Sequence, residues 1–112
     1  MLPTNVRRLA WAIGNAERGP GEIASGVVVR NNPGDIETTG GQLITYTSLT
    51  EGWDALYTMI DGWFNGTSKI YNPSMTIAEV AQKYVGTSDW VNWASNVADY
   101  LGVSVDTPLS DI

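Results

Sequence analysis

With 112 residues, 43% of them apolar and 16% charged, the chain has the size of one ordinary domain and enough hydrophobic material to build its own core. Six Lys and Arg stand against twelve Asp and Glu, and the basic residues are scattered, which removes the electrostatic basis for binding phosphate backbones and excludes nucleic acid as an expected partner. There is no Cys and no His, so disulfides, thiolate nucleophiles, imidazole bases and the commonest metal ligands are excluded, and chemistry without a cofactor falls to carboxylates, Lys, Arg and Tyr.

The first segment, Pro3 to Arg18, reads as a helix stopped by Gly19-Pro20-Gly21. Its apolar stripe is Val6, Leu9, Ala10 and Ile13, while Arg7, Arg8, Trp11, Asn15 and Arg18 point elsewhere. From Glu22 to Thr47 the pattern turns to short β-rich runs, Val27-Val28-Val29 and Leu43 to Thr47. They are broken by Asn31-Asn32-Pro33-Gly34-Asp35 and Gly40-Gly41, which carry turn chemistry. A small β region with exposed loops is therefore expected.

A second helix is expected from about Leu49 to Phe64, with Ser48 and Glu51 at capping-box spacing and Trp53, Leu56, Tyr57, Ile60 and Phe64 at helical spacing. Thr76 and Glu79 announce a third, with Met75 placed to staple onto Val80, ending near Tyr84. A fourth runs from Ser88 or Asp89 to Leu101, presenting Trp90, Trp93, Ala94, Val97 and Leu101, and is closed by Gly102. Val103 to Ile112 reads as a tail over the surface. The expected fold class is thus α+β: one helix, a small β insertion, then three helices, in one domain spanning 1–112. No apolar stretch approaches the roughly 20 residues that span a bilayer, and no secretory signal is expected in this chain.

One residue breaks the pattern. Extending the apolar stripe of the first helix by one turn from Ile13 lands on Glu17. A buried carboxylate either finds a partner, such as Arg18 or Arg30, or lines a cleft, or holds its proton. The last state is what a general acid requires, and the partial negative charge at a helix C-terminus favours it. Fraying into solvent is the plainer alternative.

The run Ala12 to Gly19, followed by Arg30-Asn31-Asn32-Pro33-Gly34-Asp35-Ile36, and then the segments Tyr46 to Leu56 and Met75 to Tyr84, resemble the bacterial and phage branch of the lysozyme-like superfamily. The nearest likeness is to compact peptidoglycan glycosidases that carry an Asn-Asn-Pro-Gly turn. The resemblance implies a lysozyme-like arrangement, with Glu17 ending the first helix as catalytic acid in cleavage between N-acetylmuramic acid and N-acetylglucosamine. It also implies peptidoglycan glycan strands as partner, no cofactor and no metal. Action on the bacterial wall, phage-associated or exported, as a monomer or carried by a phage particle or larger assembly, completes that expectation.

The Gly-Leu-Met-Gln signature of the transglycosylases is absent, as is the Glu, Asp, Thr spacing of the well-known phage lysozymes, so the second catalytic group stays open between Asp35 and Glu22. Asp35 is equally a turn residue that bonds neighbouring amides, and Glu22 an exposed loop charge. Asn31 and Asn32 offer amides to a glycan or serve as turn residues, and Tyr46 and Tyr84 offer rings and hydroxyls to a sugar or to Glu17, or are core aromatics. Trp53, Trp63, Trp90 and Trp93 read as core, and Glu51 and Glu79 as caps. Hydrolase and lytic transglycosylase both remain open, and the competing class is a non-catalytic glycan-binding or virion structural module.

Overall fold

A computed structural model describes residues 3–86 and 88–112. Helix α1, Thr4–Arg18, buries Val6, Leu9, Ala10 and Ile13 as its stripe demands, and also Ala12, Gly14 and Asn15. The buried arc is wide because α1 is flanked by two helices, α3 (Leu49–Asn65) and α5 (Trp90–Leu101). Asn15, expected to face away, is 4% exposed. It tolerates this because its Nδ2 donates to the Trp11 carbonyl one turn back, at 2.8 Å. Gly14 leaves room for Trp53: a Cβ there would stand 2.8 Å from the indole ring.

Gly19 ends α1 with φ 88°, its N–H bonded to the Asn15 carbonyl at 2.9 Å. The chain then starts a short second helix, α2, Pro20–Ser25, with Pro at its first position. Proline suits that position, having no N–H to leave unpaired and a φ already helical. The stop signal was therefore also a start signal.

The β region is the main correction. Among the described residues there is no strand and no sheet; the nearest approach is an isolated antiparallel bridge, Glu37 to Leu43. The fold is all-helical with one long irregular segment, not α+β. Two causes are visible. Arg30 and Asn31 both have positive φ, 59° and 50°, closing a 3₁₀ turn at Val29–Asn31 that no strand can pass through. Further, only scattered backbone pairs such as Ile44 N–H to the Ile36 carbonyl and Tyr46 N–H to the Arg30 carbonyl cross the loop, and side chains take other backbone groups. Asn32 donates through Nδ2 to the carbonyls of Ile36 and Ile44 (2.9 and 2.8 Å) and accepts the Ile36 N–H at 2.9 Å. Asn31 donates to the Tyr46 carbonyl at 3.0 Å. Two carboxamides thus interrupt what would otherwise be a ladder.

Helix α3 has Ser48 as N-cap, its hydroxyl accepting the Glu51 N–H, but the Glu51 carboxylate turns to the Thr47 hydroxyl, so the expected reciprocal box is half made. Its buried residues are Gly52, Leu56, Ile60 and Trp63, with Trp53, Tyr57 and Phe64 half-buried beside them. Helix α4, Ile77–Tyr84, carries the complete capping box of Thr76 and Glu79. It packs on α5, which buries Trp93, Ala94, Val97, Ala98 and Leu101.

The C-terminal segment runs over the surface for most of its length, with Ser104, Asp106, Ser110 and Asp111 exposed, but it is anchored in a way the sequence did not announce. Leu109 is 0% exposed within the core, and the segment returns to the start of α4, where Thr107 and Val105 carbonyls take the N–H groups of Ile77 and Ala78. These are two of the donors that a helix N-terminus leaves without intrahelical partners. We expect Leu109→Ala to lower stability by about 2–5 kcal/mol, the usual cost of emptying an aliphatic core site, measured by urea denaturation. An effect below about 1 kcal/mol would show the tail to be peripheral.

Candidate functional site

Glu17 lies in the last turn of α1, facing α5 across the core boundary. Its Oε1 accepts the Trp93 indole N–H at 2.7 Å. The Trp93 ring stacks on Tyr84, with centroids 5.2 Å apart, and the Tyr84 hydroxyl donates to the Gly34 carbonyl. Tyr84 thus pins the turn that carries Asp35. Asp35 sits at φ 49°, a left-handed conformation that Asp tolerates better than most residues, and it lines the same cavity as Glu17.

The charges of this pair are divided by Arg18. Its Nη1 bonds Asp35 Oδ1 at 3.0 Å and its Nε bonds Glu22 Oε1 at 3.0 Å. Arg18 thus pairs with Asp35 and makes no ion pair with Glu17 among the described residues. Burial, then the hydrogen bond and negative charge of Asp35, push Glu17 from an ordinary 4.5 up to about 8, against the smaller opposing pull of the Trp93 N–H and Arg18. Since Oε1 accepts the indole, Oε2 is the oxygen left to carry the proton.

Glu17 stands between two cavities. One, of about 410 Å³, is lined by Asp35, Ile36, Glu37, Met59, Tyr71 and Tyr84, among others. The second, of about 360 Å³, opens between the end of α1 and the outer face of α5, over Ala16, Val85, Trp93 and their neighbours. Both fall within the range of small-ligand pockets. A third hollow shares Ile36 and Met59 with the first and is flanked by Tyr46, Glu51 and Asp54, so the groove continues past Tyr46.

The structure brings Glu17, Asp35 and Tyr84 together and leaves the other sequence candidates apart from the carboxyl pair. Glu22 touches the site only through Arg18; its carboxylate also takes the Val29 N–H at 2.7 Å, and these two contacts hold it ionised below its ordinary value. It fastens α2 to the loop. Asn32 is 1% exposed with its amide committed to the loop backbone, and Asn31 bonds the Tyr46 carbonyl. Neither amide faces the cavities that Glu17 lines. Tyr84 is half-buried with its hydroxyl directed inward to Gly34, and desolvation with nearby Glu17 raises its phenol well above its usual value, so it acts here as a neutral donor.

Three contributors escaped sequence reasoning: Trp93, read as core, and Glu37 and Tyr71, which line the first cavity. For Trp93 a signal was available. A buried indole N–H seeks an acceptor, and the chain's one carboxylate on an apolar stripe was the natural partner. No group of three or more acidic residues is set to hold a metal ion among the described residues.

The network predicts opposite responses of Glu17 to its two partners. Asp35→Asn removes the neighbouring negative charge and should lower the pH at which Glu17 ionises, whereas Trp93→Phe removes a donor that favours the ionised form and should raise it. Carboxyl-carbon NMR titration measures both; shifts of the same sign would refute the pairing.

No helix among the described residues is long and apolar enough to cross a membrane. Comparison with known protein families, with characterised proteins and with solved structures finds no match to this chain.

Proposed function

We propose that the chain is a glycosidase of bacterial peptidoglycan that protonates the glycosidic oxygen between N-acetylmuramic acid and N-acetylglucosamine with Glu17. The observation that carries this reading is the placement of one proton-bearing carboxyl, fixed by an indole N–H, at the junction of two ligand-sized cavities. A general acid must hold its proton at working pH and present it inside a cleft, and Glu17 does both. The absence of His and Cys leaves few other groups for the task. The sequence resemblance to compact phage-type glycosidases supports the same substrate, with the loop of 26–48 in place of a β lobe.

Asp35 favours one route over the other. Two-carboxylate hydrolysis places the groups about 5–9.5 Å apart, with room for a sugar carbon or a water between them. Here Asp35 raises the pH at which Glu17 ionises and its own carboxylate is taken by Arg18 at 3.0 Å, which supports a role for Asp35 on Glu17 and not on the sugar. The one-carboxyl route fits this arrangement. Glu17 gives its proton to the leaving oxygen, and its carboxylate then takes a proton from the sugar's own 6-hydroxyl as that oxygen closes a 1,6-anhydro ring. The chain is then a lytic transglycosylase.

A net charge of −6 is repelled by a polyanionic wall, which supports delivery by a phage particle or larger assembly over free diffusion to the substrate. Mass spectrometry of the products from purified wall tests the whole reading. Anhydro ends support the transglycosylase, reducing ends one water heavier support the hydrolase, and binding with neither product supports a non-catalytic glycan module.

A further inference from the structure

The cavity on the α5 side of Glu17 has features that the proton-transfer chemistry does not use. Its polar lining includes Asn92 and Asn96, which are exposed, lie one turn apart on α5, and make no side-chain hydrogen bond among the described residues. Residues at this spacing share a helix face, with Cβ atoms about 5–6 Å apart. Trp93 lies next to Asn92 in sequence but turns inward to hold Glu17. The amides therefore line one cavity with the reactive carboxyl, together with Asp89 and the apolar Ala16, Val85 and Trp93.

Asn side chains in the sequence are otherwise committed. Asn15, Asn31, Asn32 and Asn65 donate through Nδ2 to groups of the protein, while Asn5 and Asn72 accept backbone N–H groups. Against that background, two uncommitted amides in one cavity are a distinct arrangement. Each offers two donors and an acceptor in a plane, which suits the acetamido group and hydroxyls of an N-acetylated sugar, while the apolar lining suits the ring's C–H face. With a cavity on each side of Glu17, a bound strand would pass over the carboxyl and continue in both directions.

We propose that the Asn92–Asn96 face of α5 is a carbohydrate subsite for an N-acetylhexosamine, placed on the opposite side of Glu17 from the Tyr71 cavity, so that strands are cut internally and not trimmed from an end. This rests on the glycosidase reading and adds to it the residues that grip the second arm of the substrate.

The test uses the full chain carrying Glu17→Gln, which binds without cutting. The probes are a peptide-free oligomer of alternating N-acetylmuramic acid and N-acetylglucosamine, and the corresponding disaccharide. The oligomer is expected to shift the side-chain amide NMR signals of Asn92 and Asn96. Adding Asn92→Ala and Asn96→Ala is expected to weaken its binding about tenfold, the loss of a few neutral hydrogen bonds, while the disaccharide binds far more weakly to either form. Both positions are exposed on a helix, where Ala is the better helix former, so the fold is retained; an unchanged amide spectrum elsewhere checks this. In the otherwise native chain, early products from long strands should be of mixed length.

Equal oligomer affinity with and without the amides, in a chain that still cuts, would overturn the subsite and leave the glycosidase reading standing. Oligomer held through the amides but never cut by the native chain would overturn the glycosidase and support the subsite as a binding site. Absence of oligomer binding would overturn the subsite, as would exclusive release of terminal units.

Discussion

Glu17→Gln is expected to reduce strand cutting by at least about 10³-fold, within the range seen when a general acid is lost, and to make the protein more stable at alkaline pH. The two effects share one cause. In the unfolded chain Glu17 ionises near its ordinary 4.5, whereas in the folded chain it holds its proton up to about 8. Between those values the folded state binds a proton that the unfolded state has released, so the contribution of Glu17 to stability falls as pH rises through that window and is constant outside it. An uncharged amide escapes this loss. Partial solvation and the sharing of charge with Asp35 reduce the cost to roughly 2 kcal/mol.

Denaturation of both proteins at pH 4 and pH 9 checks the stability half: near-equal stability at the lower pH, and an advantage for Glu17→Gln at the higher. The native activity should also decline on its alkaline side with a midpoint near 8, where Glu17 gives up its proton. If Glu17→Gln cut strands at the native rate, the proposed chemistry would be wrong even with the stability difference intact. Equal stability at pH 9 would instead mean that Glu17 ionises in the folded chain as readily as in the unfolded one, and would remove the electrostatic basis of its role.

What the sequence revealed followed from how local each signal is. The helices were legible because a 3.6-residue stripe is written in consecutive side chains, and Glu17 stood out because it continued that stripe. Caps were legible for the same reason, although only Thr76 and Glu79 closed the full box. The β-rich runs misled because strand propensity is a statement about half-buried pleated surface. Val27 is 78% exposed and Val29 49% exposed, and neither lies in a strand. Whether Val27-Val28-Val29 finds a partner depends on Arg30 and Asn31 adopting positive φ, which no spacing rule announces for such residues. The side-chain bonds of Asn32 span up to 12 positions, and the contact between Glu17 and Trp93 spans 76. These are products of tertiary packing, as is the return of the C-terminal segment to α4.

Gly52→Ala should sharply reduce activity with the helices still formed, because Gly52 sets the height of the loop over α3. A Cβ at this position would stand 1.7 Å from the Asn31 carbonyl oxygen and 3.1 Å from the Pro33 ring. The first contact is with backbone and lies far inside any tolerable separation, so a rotamer change cannot relieve it. Either α3 or the loop must move, at an expected cost of at least about 3 kcal/mol, at the upper end of overpacking effects. The loop is the softer partner. Asn31 belongs to a three-residue 3₁₀ turn, whereas Gly52 is in the first turns of a 17-residue helix whose Leu56 and Ile60 are fully buried.

Lifting Asn31 lifts the turn from Asn32 to Asp35 with it, and Asp35 then loses its place beside Glu17 and Arg18. Glu17 without that negative neighbour ionises at lower pH, so the damage to the site is specific: the alkaline decline of any residual activity moves to lower pH, in the same direction as for Asp35→Asn. Far-ultraviolet circular dichroism should retain the native helical signal. A Gly52→Ala protein with native stability and an unshifted Glu17 titration would show that the loop accommodates the methyl without disturbing the carboxyl pair, and that the close approach of Asn31 to α3 is not what positions Asp35.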